Sequence, residues 1–154
     1  MRHSKCMFLA MACMLGSLAF AGIDKDAAMY IGGTVSAIPE QTVGKLDLTN
    51  DEKMSFQWSG GSWDLPYKQI TSLEYGQKAG RRVGVAVVVT VWALFSKKRR
   101  HFLTIGFTDP EGKKQAALIE IGKGRTKTSL ATLEARTGLK VEYESQEAKE
   151  HVHG

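Results

Sequence analysis

Apolar and polar residues alternate along most of the chain beyond residue 29, and this two-residue period is typical of half-buried β-strands. The clearest example is residues 53–59, in which Met54, Phe56 and Trp58 fall on one face of a strand. The paired glycines that follow are typical of a tight hairpin turn, because glycine accepts the positive backbone angles of such turns. On this basis we predict seven strands, at residues 30–38, 44–49, 53–59, 63–68, 70–75, 102–108 and 115–121.

Residues 126–137 carry a helical pattern, since Leu130 and Leu133 lie three residues apart and form a short apolar stripe. Gly138 follows directly, and glycine is common just past the end of a helix. A final short strand and a polar, flexible tail are predicted at residues 139–143 and 145–154. The pattern therefore predicts a mainly β fold with one C-terminal helix, built as a strongly bent antiparallel sheet or a partly open barrel that the helix plugs at one end.

One apolar block does not fit this pattern and is interpreted as an insertion, residues 79–100. Its apolar run, residues 83–95, is thirteen residues long, which is shorter than the ~20 residues that a membrane-spanning helix needs. Four interpretations of the run stay open. Its many valines favour a buried strand, whereas its cationic flanks favour a short helix or hairpin that dips into a lipid headgroup layer. The other two are a patch for another protein or for self-association, and a disordered loop.

Positive charge is concentrated around this block, because no Asp or Glu occurs between Glu74 and Asp109. If both arms of the insertion meet at one end of the sheet, they form a cationic surface, and each Lys or Arg close to an anionic membrane contributes about 1 kcal/mol. The alternative is that the cations only keep an apolar turn soluble. The predicted membrane or partner contacts are Arg81, Arg82, Trp92, Phe95, Lys97, Lys98, Arg99 and Arg100.

The first 21 residues have the pattern of a secretory signal peptide, with a basic start, a long apolar run and small residues before the end at Ala21. We therefore predict cleavage after Ala21 and export to the periplasm or the extracellular space, with membrane association through the insertion. A leader at residues 22–29 and one domain at residues 30–144 follow. An uncleaved signal anchor is the alternative.

Loss of this segment changes the chemistry that is available to the remaining chain. Both cysteines, Cys6 and Cys13, lie in it, so the rest has no disulfide and no thiolate ligand or nucleophile. The formal net charge falls from +5 to +3, because Arg2 and Lys5 are removed and no acid is. Such a mild excess does not by itself predict a nucleic-acid partner, and export and the absence of an aromatic-interleaved basic motif argue against one.

The sequence carries no nucleophile elbow, metalloprotease helix, phosphate loop or pair of catalytic carboxylates, so we predict a protein that is not an enzyme and has no cofactor or metal. His101 is interpreted as a residue at the start of a strand. His151 and His153 on the tail could bind a metal weakly, but a solvated tail is the favoured interpretation. The basic loop at residues 122–128 could accept an anion at the start of the helix.

Several short motifs resemble the pleckstrin-homology-like (PH-like) superfold, in particular its small bacterial and GRAM-type members. They are GKLDLT at 44–49, MSF at 54–56, LPYKQITSL at 65–73, HFLTI at 101–105 and ARTG at 135–138. The resemblance covers about residues 30–138 and implies a domain that binds lipids, peptides or proteins without changing them. The chain departs from better-known members in its predicted export and its apolar insertion.

Together these observations predict an exported, non-catalytic binding module that contacts the envelope membrane, or a protein in it, through the insertion. Homo-oligomerisation is a further possible use of the same surface. The alternative is a purely structural or self-associating domain in which residues 83–95 form a core strand. An enzyme with a site assembled from dispersed residues is the third and least favoured hypothesis.

Overall fold

The computed structural model describes residues 23–77 and 100–153, which form eight strands and two helices. A single 3₁₀ turn, Tyr67–Gln69, joins the fourth and fifth strands. The elements in chain order are β1 (Ala28–Gly33), β2 (Thr42–Asp47), β3 (Lys53–Trp58), β4 (Gly61–Pro66), β5 (Ile70–Gly76), β6 (Phe102–Thr108), β7 (Lys114–Ile121), α1 (Thr126–Thr137), β8 (Val141–Tyr143) and α2 (Gln146–His153). The prediction of a mainly β fold with a helix at residues 126–137 is confirmed.

All eight strands belong to one open sheet in the order β4-β3-β2-β1-β7-β6-β5-β8. Strands β1 to β7 pair antiparallel, whereas β8 joins the edge of the sheet parallel to β5. The sheet changes direction along β2, because Thr42 to Gly44 pair with β1 and Lys45 to Asp47 pair with β3. As a result Trp63 on β4 reaches Phe107 on β6, with their ring centroids 5.6 Å apart.

A single inner core receives side chains from every strand and from both helices. On α1, Leu130 and Leu133 are 2% and 0% exposed and lie in this core, as their spacing predicts. Gly138 adopts the left-handed conformation at the end of α1, with a φ of 73°, and its amide donates to the carbonyl of Glu134. The helix therefore ends where glycine avoids the steric cost of that conformation.

The last residues form a helix, α2, where the sequence analysis predicts a flexible tail. Ala148 and Val152 lie one turn apart on α2, and both are buried in the inner core. The hydroxyl of Ser145 accepts a hydrogen bond from the amide of Ala148 and caps the start of the helix. The polar composition of the segment conceals these two apolar positions at helical spacing, which explains the difference.

The predicted signal peptide, residues 1–21, and residues 79–99 of the predicted insertion lie outside the described residues. Strand β1 begins at Ala28, inside the predicted leader, so that part of the leader belongs to the sheet. Of the two helices that the structure describes, neither is long and apolar enough to cross a membrane.

Candidate functional site at the insertion root

The insertion leaves and re-enters the sheet at one point, which we call the insertion root and define as residues 75–77 and 100–102. Strand β5 ends at Gly76 and β6 begins at Phe102, and these two residues pair directly. In the described sheet β5 lies between β6 and β8, and β6 lies between β5 and β7. Each of these two strands thus has a neighbour on both sides in the described sheet, whose edge strands are β4 and β8.

On the inner face of the root, Tyr75 and His101 form a buried hydrogen-bonded pair. The hydroxyl of Tyr75 lies 2.6 Å from Nδ1 of His101, and the two rings are nearly parallel. Burial raises the pKa of Tyr75 to about 12, with a smaller contribution from Tyr143. The phenol therefore keeps its proton across the physiological range. The tautomer of the imidazole decides which of the two groups donates in this hydrogen bond.

Helix α2 adds two histidines to this cluster. The ring of His151 stacks on that of His101 with 5.1 Å between centroids, and Nε2 of His153 lies 2.9 Å from the hydroxyl of Tyr143. Burial lowers the pKa of His101, and positive charge on His151 and Lys123 adds to the effect. The structure thus brings together the three histidines that follow the predicted signal peptide, of which the sequence analysis places His101 at the start of a strand and His151 and His153 on the tail.

Solvent access differs within this histidine cluster. His101 is only 6% exposed, so a substrate atom has little access to its ring, whereas His151 and His153 are exposed. In the part of the chain that the structure describes, no three or more His, Cys, Asp and Glu side chains are grouped so that they could hold a metal ion.

On the outer face of the root, Arg100 and Glu120 form an ion pair whose side chains are only 13% and 5% exposed. Nη1 of Arg100 donates to Oε2 of Glu120 over 3.1 Å. The pair lies beside an apolar cluster on the same face of the sheet, which consists of Met29, Ile31, Phe102 and Leu118. Burial raises the pKa of Glu120, and the Arg100 charge opposes this rise without cancelling it.

Of the predicted contact residues, the structure therefore places only Arg100, and its guanidinium binds a carboxylate of the domain itself. The other predicted contacts lie outside the described residues: Arg81, Arg82, Trp92, Phe95, Lys97, Lys98 and Arg99. Their role stays a prediction.

Three backbone amides of the loop before α1 have partners within the domain. The amides of Gly122 and Gly124 donate to the carbonyls of Ala27 and Lys25, and the amide of Arg125 donates to the carbonyl of Gly122. A side chain at position 122 would clash with the carbonyl of Lys25, so glycine lets the leader pack closely here. This loop holds the leader in place.

Sequence reasoning missed the histidine cluster because its parts come from three distant segments. Tyr75 and His101 are joined by the antiparallel pairing of β5 and β6, and His151 reaches them because β8 pairs with β5 and places α2 at the same end. The one local pattern that could have indicated the contact is Ala148 and Val152 at helical spacing, with His151 between them. No family model matches the chain, and no curated protein matches it significantly.

Proposed function

We propose that the protein is an exported, non-catalytic binding domain of the PH-like type, and that the insertion, residues 79–100, attaches it to an anionic envelope membrane. The observation that carries this proposal is the pairing of Gly76 with Phe102. Both arms of the insertion start from neighbouring positions at one end of the described sheet, in which every interior strand has a neighbour on both sides. The two points at which the cationic insertion joins the domain therefore lie side by side.

The topology supports the PH-like part of the proposal. Seven antiparallel strands precede α1, and Leu130 and Leu133 of that helix lie in the core enclosed by the bent sheet. A late helix packed into the core of the sheet agrees with what the sequence motifs suggest, namely a partly open barrel that a helix closes at one end. The insertion then falls in the connection between the fifth and sixth strands.

Arg100 has a different part in this proposal from its neighbours. The ion pair of Arg100 with Glu120 fixes the point at which the second arm joins β6. Because this pair is buried inside the domain, the charge of Arg100 is not available to a membrane. Membrane attraction then comes from the remaining cations of the arms, each contributing about 1 kcal/mol near an anionic surface. Charge reversal at Arg100 would disturb the fold, so it cannot serve as a clean test of binding.

The test is binding to phosphatidylglycerol vesicles by a variant that carries Lys97→Glu and Lys98→Glu. The matched control is Lys113→Glu with Lys114→Glu, which makes the same charge change at the opposite end of β6 and β7, where both lysines are exposed. We expect the first variant to bind at least about tenfold more weakly and the control to bind like the wild type. Wild-type binding should also weaken with added salt and be absent on phosphatidylcholine vesicles.

Equal binding by both variants would contradict the proposal, as would wild-type binding that is insensitive to salt. A variant that loses binding must also keep the wild-type melting temperature, so that loss of folding is not taken for loss of contact.

A second candidate is the structural role, in which residues 83–95 are part of the core. It is favoured by the outer-face cluster, where Phe102 and Leu118 are each 2% exposed, while the buried apolar residues of α1 and α2 belong to the inner core. The substitution Val88→Asp separates the two candidates. A core role predicts loss of folding, because a carboxylate would be buried without a partner, whereas a membrane-contact role predicts a normal melting curve with weaker vesicle binding.

A further inference from the structure

The end of the sheet that carries the insertion root also carries the leader. Strand β7 lies between β1 and β6, and Ala28 at the start of β1 pairs with Ile121 at the end of β7. The amide of Ile121 donates to the carbonyl of His101 over 2.8 Å. Two strand spacings, about 10 Å, therefore separate the start of β1 from the root. The chain that precedes β1 and both arms of the insertion thus join the described domain at the same end.

The leader has a defined position at this end, because the loop before α1 holds its backbone. The amide of Gly122 donates to the carbonyl of Ala27 over 2.9 Å. The amide of Gly124 donates to the carbonyl of Lys25 over 3.1 Å. A side chain in place of Gly122 would meet the carbonyl oxygens of Lys25 and Asp24, so glycine is needed for this close approach. The leader and the loop before α1 therefore form one connected surface beside the root.

Charges of both signs are exposed on this connected surface. In the leader, the loop and the first turn of α1 they are Lys25, Lys123, Lys127, Asp24 and Asp26. Glu144 and Glu147 add exposed acids on the other side of the root, next to β8. Because the signs are mixed, this surface by itself attracts an anionic membrane only weakly. The cationic insertion must supply the main attraction, and the geometry of the root decides which described residues follow it to the lipid.

The turn between β6 and β7 lies at the opposite end of the same strands. Lys114 pairs there with Thr108, the last residue of β6, and it is exposed. Strand β6 is seven residues long. At about 3.4 Å per residue, Lys114 therefore lies about 20 Å from the root along the strand direction. When the root end touches a bilayer and the strands stand across its surface, the β6–β7 turn is held away from the lipid.

We propose that the domain stands on an anionic membrane with its insertion-root end towards the lipid, so that the leader and the loop before α1 contact the headgroups and the β6–β7 turn points away. This inference rests on the membrane attachment proposed above, and it adds which described residues meet the bilayer, namely Lys25, Lys123 and Lys127. Chain that precedes residue 23 joins the domain at the same end. The processed chain and one with an uncleaved signal anchor therefore share this orientation.

The test places a fluorescent label on a single cysteine in the chain that remains after the predicted cleavage, which has no cysteine of its own. Lys25→Cys and Lys127→Cys carry the label at the root end. Lys114→Cys is the matched control, since each variant removes one exposed lysine. The labelled chains are bound to phosphatidylglycerol vesicles that carry a nitroxide quencher on some headgroups. We expect quenching at positions 25 and 127 to be at least about threefold stronger than at position 114, which lies about 20 Å farther from the bilayer.

The outcomes separate this orientation from membrane attachment itself. Quenching that is equal at the three positions, or strongest at position 114, would overturn the orientation and leave the attachment standing. Strong quenching at only one of positions 25 and 127 would also overturn it, because hydrogen bonds join the leader to the loop and the two should approach the lipid together. A wild-type chain that does not bind these vesicles would overturn the attachment, and the orientation with it. The melting temperature of each labelled chain checks that it is folded.

Discussion

The two halves of the sheet treat their outer faces differently. In the half formed by β2, β3 and β4, one face packs in the core and the other carries exposed or half-buried residues such as Lys45, Ser55 and Gln57. In the half formed by β1, β7 and β6, Leu118 and Phe102 on the outer face are each 2% exposed, as deeply buried as the inner residues. An antiparallel sheet commonly leaves one face in water, so the second half is the exception.

This difference coincides with the location of a buried ion pair and a buried histidine. The buried outer face contains the Arg100–Glu120 ion pair, and His101 lies directly before β6 on the inner side. The insertion joins the sheet between these two features, at the pairing of Gly76 with Phe102. The half formed by β2, β3 and β4 has a more exposed cross-strand ion pair, between Lys53 and Asp64.

The largest expected effect comes from placing a carboxylate on the outer face of each half. Leu118→Asp should destabilise the protein by more than about 4 kcal/mol or prevent folding, because it buries a charge in an apolar cluster. Val43 on β2 is 55% exposed, so Val43→Asp should destabilise the protein by about 1 kcal/mol or less. Urea unfolding measures both, and equal losses would show that the two outer faces do not differ.

The next effect comes from breaking the two ion pairs. Arg100→Met leaves Glu120 buried without its partner and should cost about 3 to 5 kcal/mol. Lys53→Met removes the partner of Asp64 at a site where both side chains are more than 40% exposed, and it should cost about 0 to 1 kcal/mol. The double variant Arg100→Met with Glu120→Leu should recover most of the lost stability, because it removes the isolated charge. If the double variant is as unstable as the single one, the outer face needs the charges themselves.

A smaller effect is expected at the contact that joins the two halves. Trp63→Ala removes the ring that packs on Phe107, and a double-mutant cycle with Phe107→Ala should give a coupling of about 0.5 to 1.5 kcal/mol. Trp58 packs on Phe56 within its own half, with 6.0 Å between ring centroids, so the cycle of Trp58→Ala with Phe107→Ala should be close to additive. The reverse result would mean that the bend of the sheet is stabilised elsewhere.

The same contrast explains which parts of the fold the sequence predicts. In β3 and β4 one face is wet, so the apolar residues Met54, Phe56 and Leu65 alternate with polar ones and mark the strands clearly. In β7 the buried outer face replaces polar residues by apolar ones, and alternation gives way to a nearly continuous run, Ala116 to Ile119. That strand is still predicted correctly because turn residues bound it on both sides.

Long-range contacts account for what the sequence could not predict. Nothing local in Arg100 distinguishes it from Arg99, and only the register that pairs Phe102 with Glu120 brings its charge to a buried carboxylate. Likewise, the parallel pairing of β8 with β5 decides that α2 docks at the insertion root, and a local pattern does not carry that information. The sequence analysis counts Arg100 among the cations of the predicted surface, whereas in the fold its charge is paired with Glu120.

The two faces of the root also differ in the sign of their response to pH. His101 has a lowered pKa in the fold, so below about pH 6.5 the unfolded chain takes up the proton first and stability falls with pH. Glu120 has a raised pKa in the fold. As the pH falls towards the ordinary pKa of a glutamate, the folded protein therefore takes up the proton before the unfolded chain does, and stability rises.

Comparison of wild type with His101→Phe and Glu120→Gln in urea unfolding at a series of pH values separates these contributions. His101→Phe should lose the decline below about pH 6.5, whose slope cannot exceed about 1.4 kcal/mol per pH unit for one proton. The stability of Glu120→Gln should instead decline more steeply than that of the wild type at acid pH, because the variant lacks the carboxyl group whose protonation in the folded state raises stability. Since the two residues lie on opposite faces of the root, their effects should add, and a non-additive double variant would mean that the inner and outer faces of the root are energetically coupled.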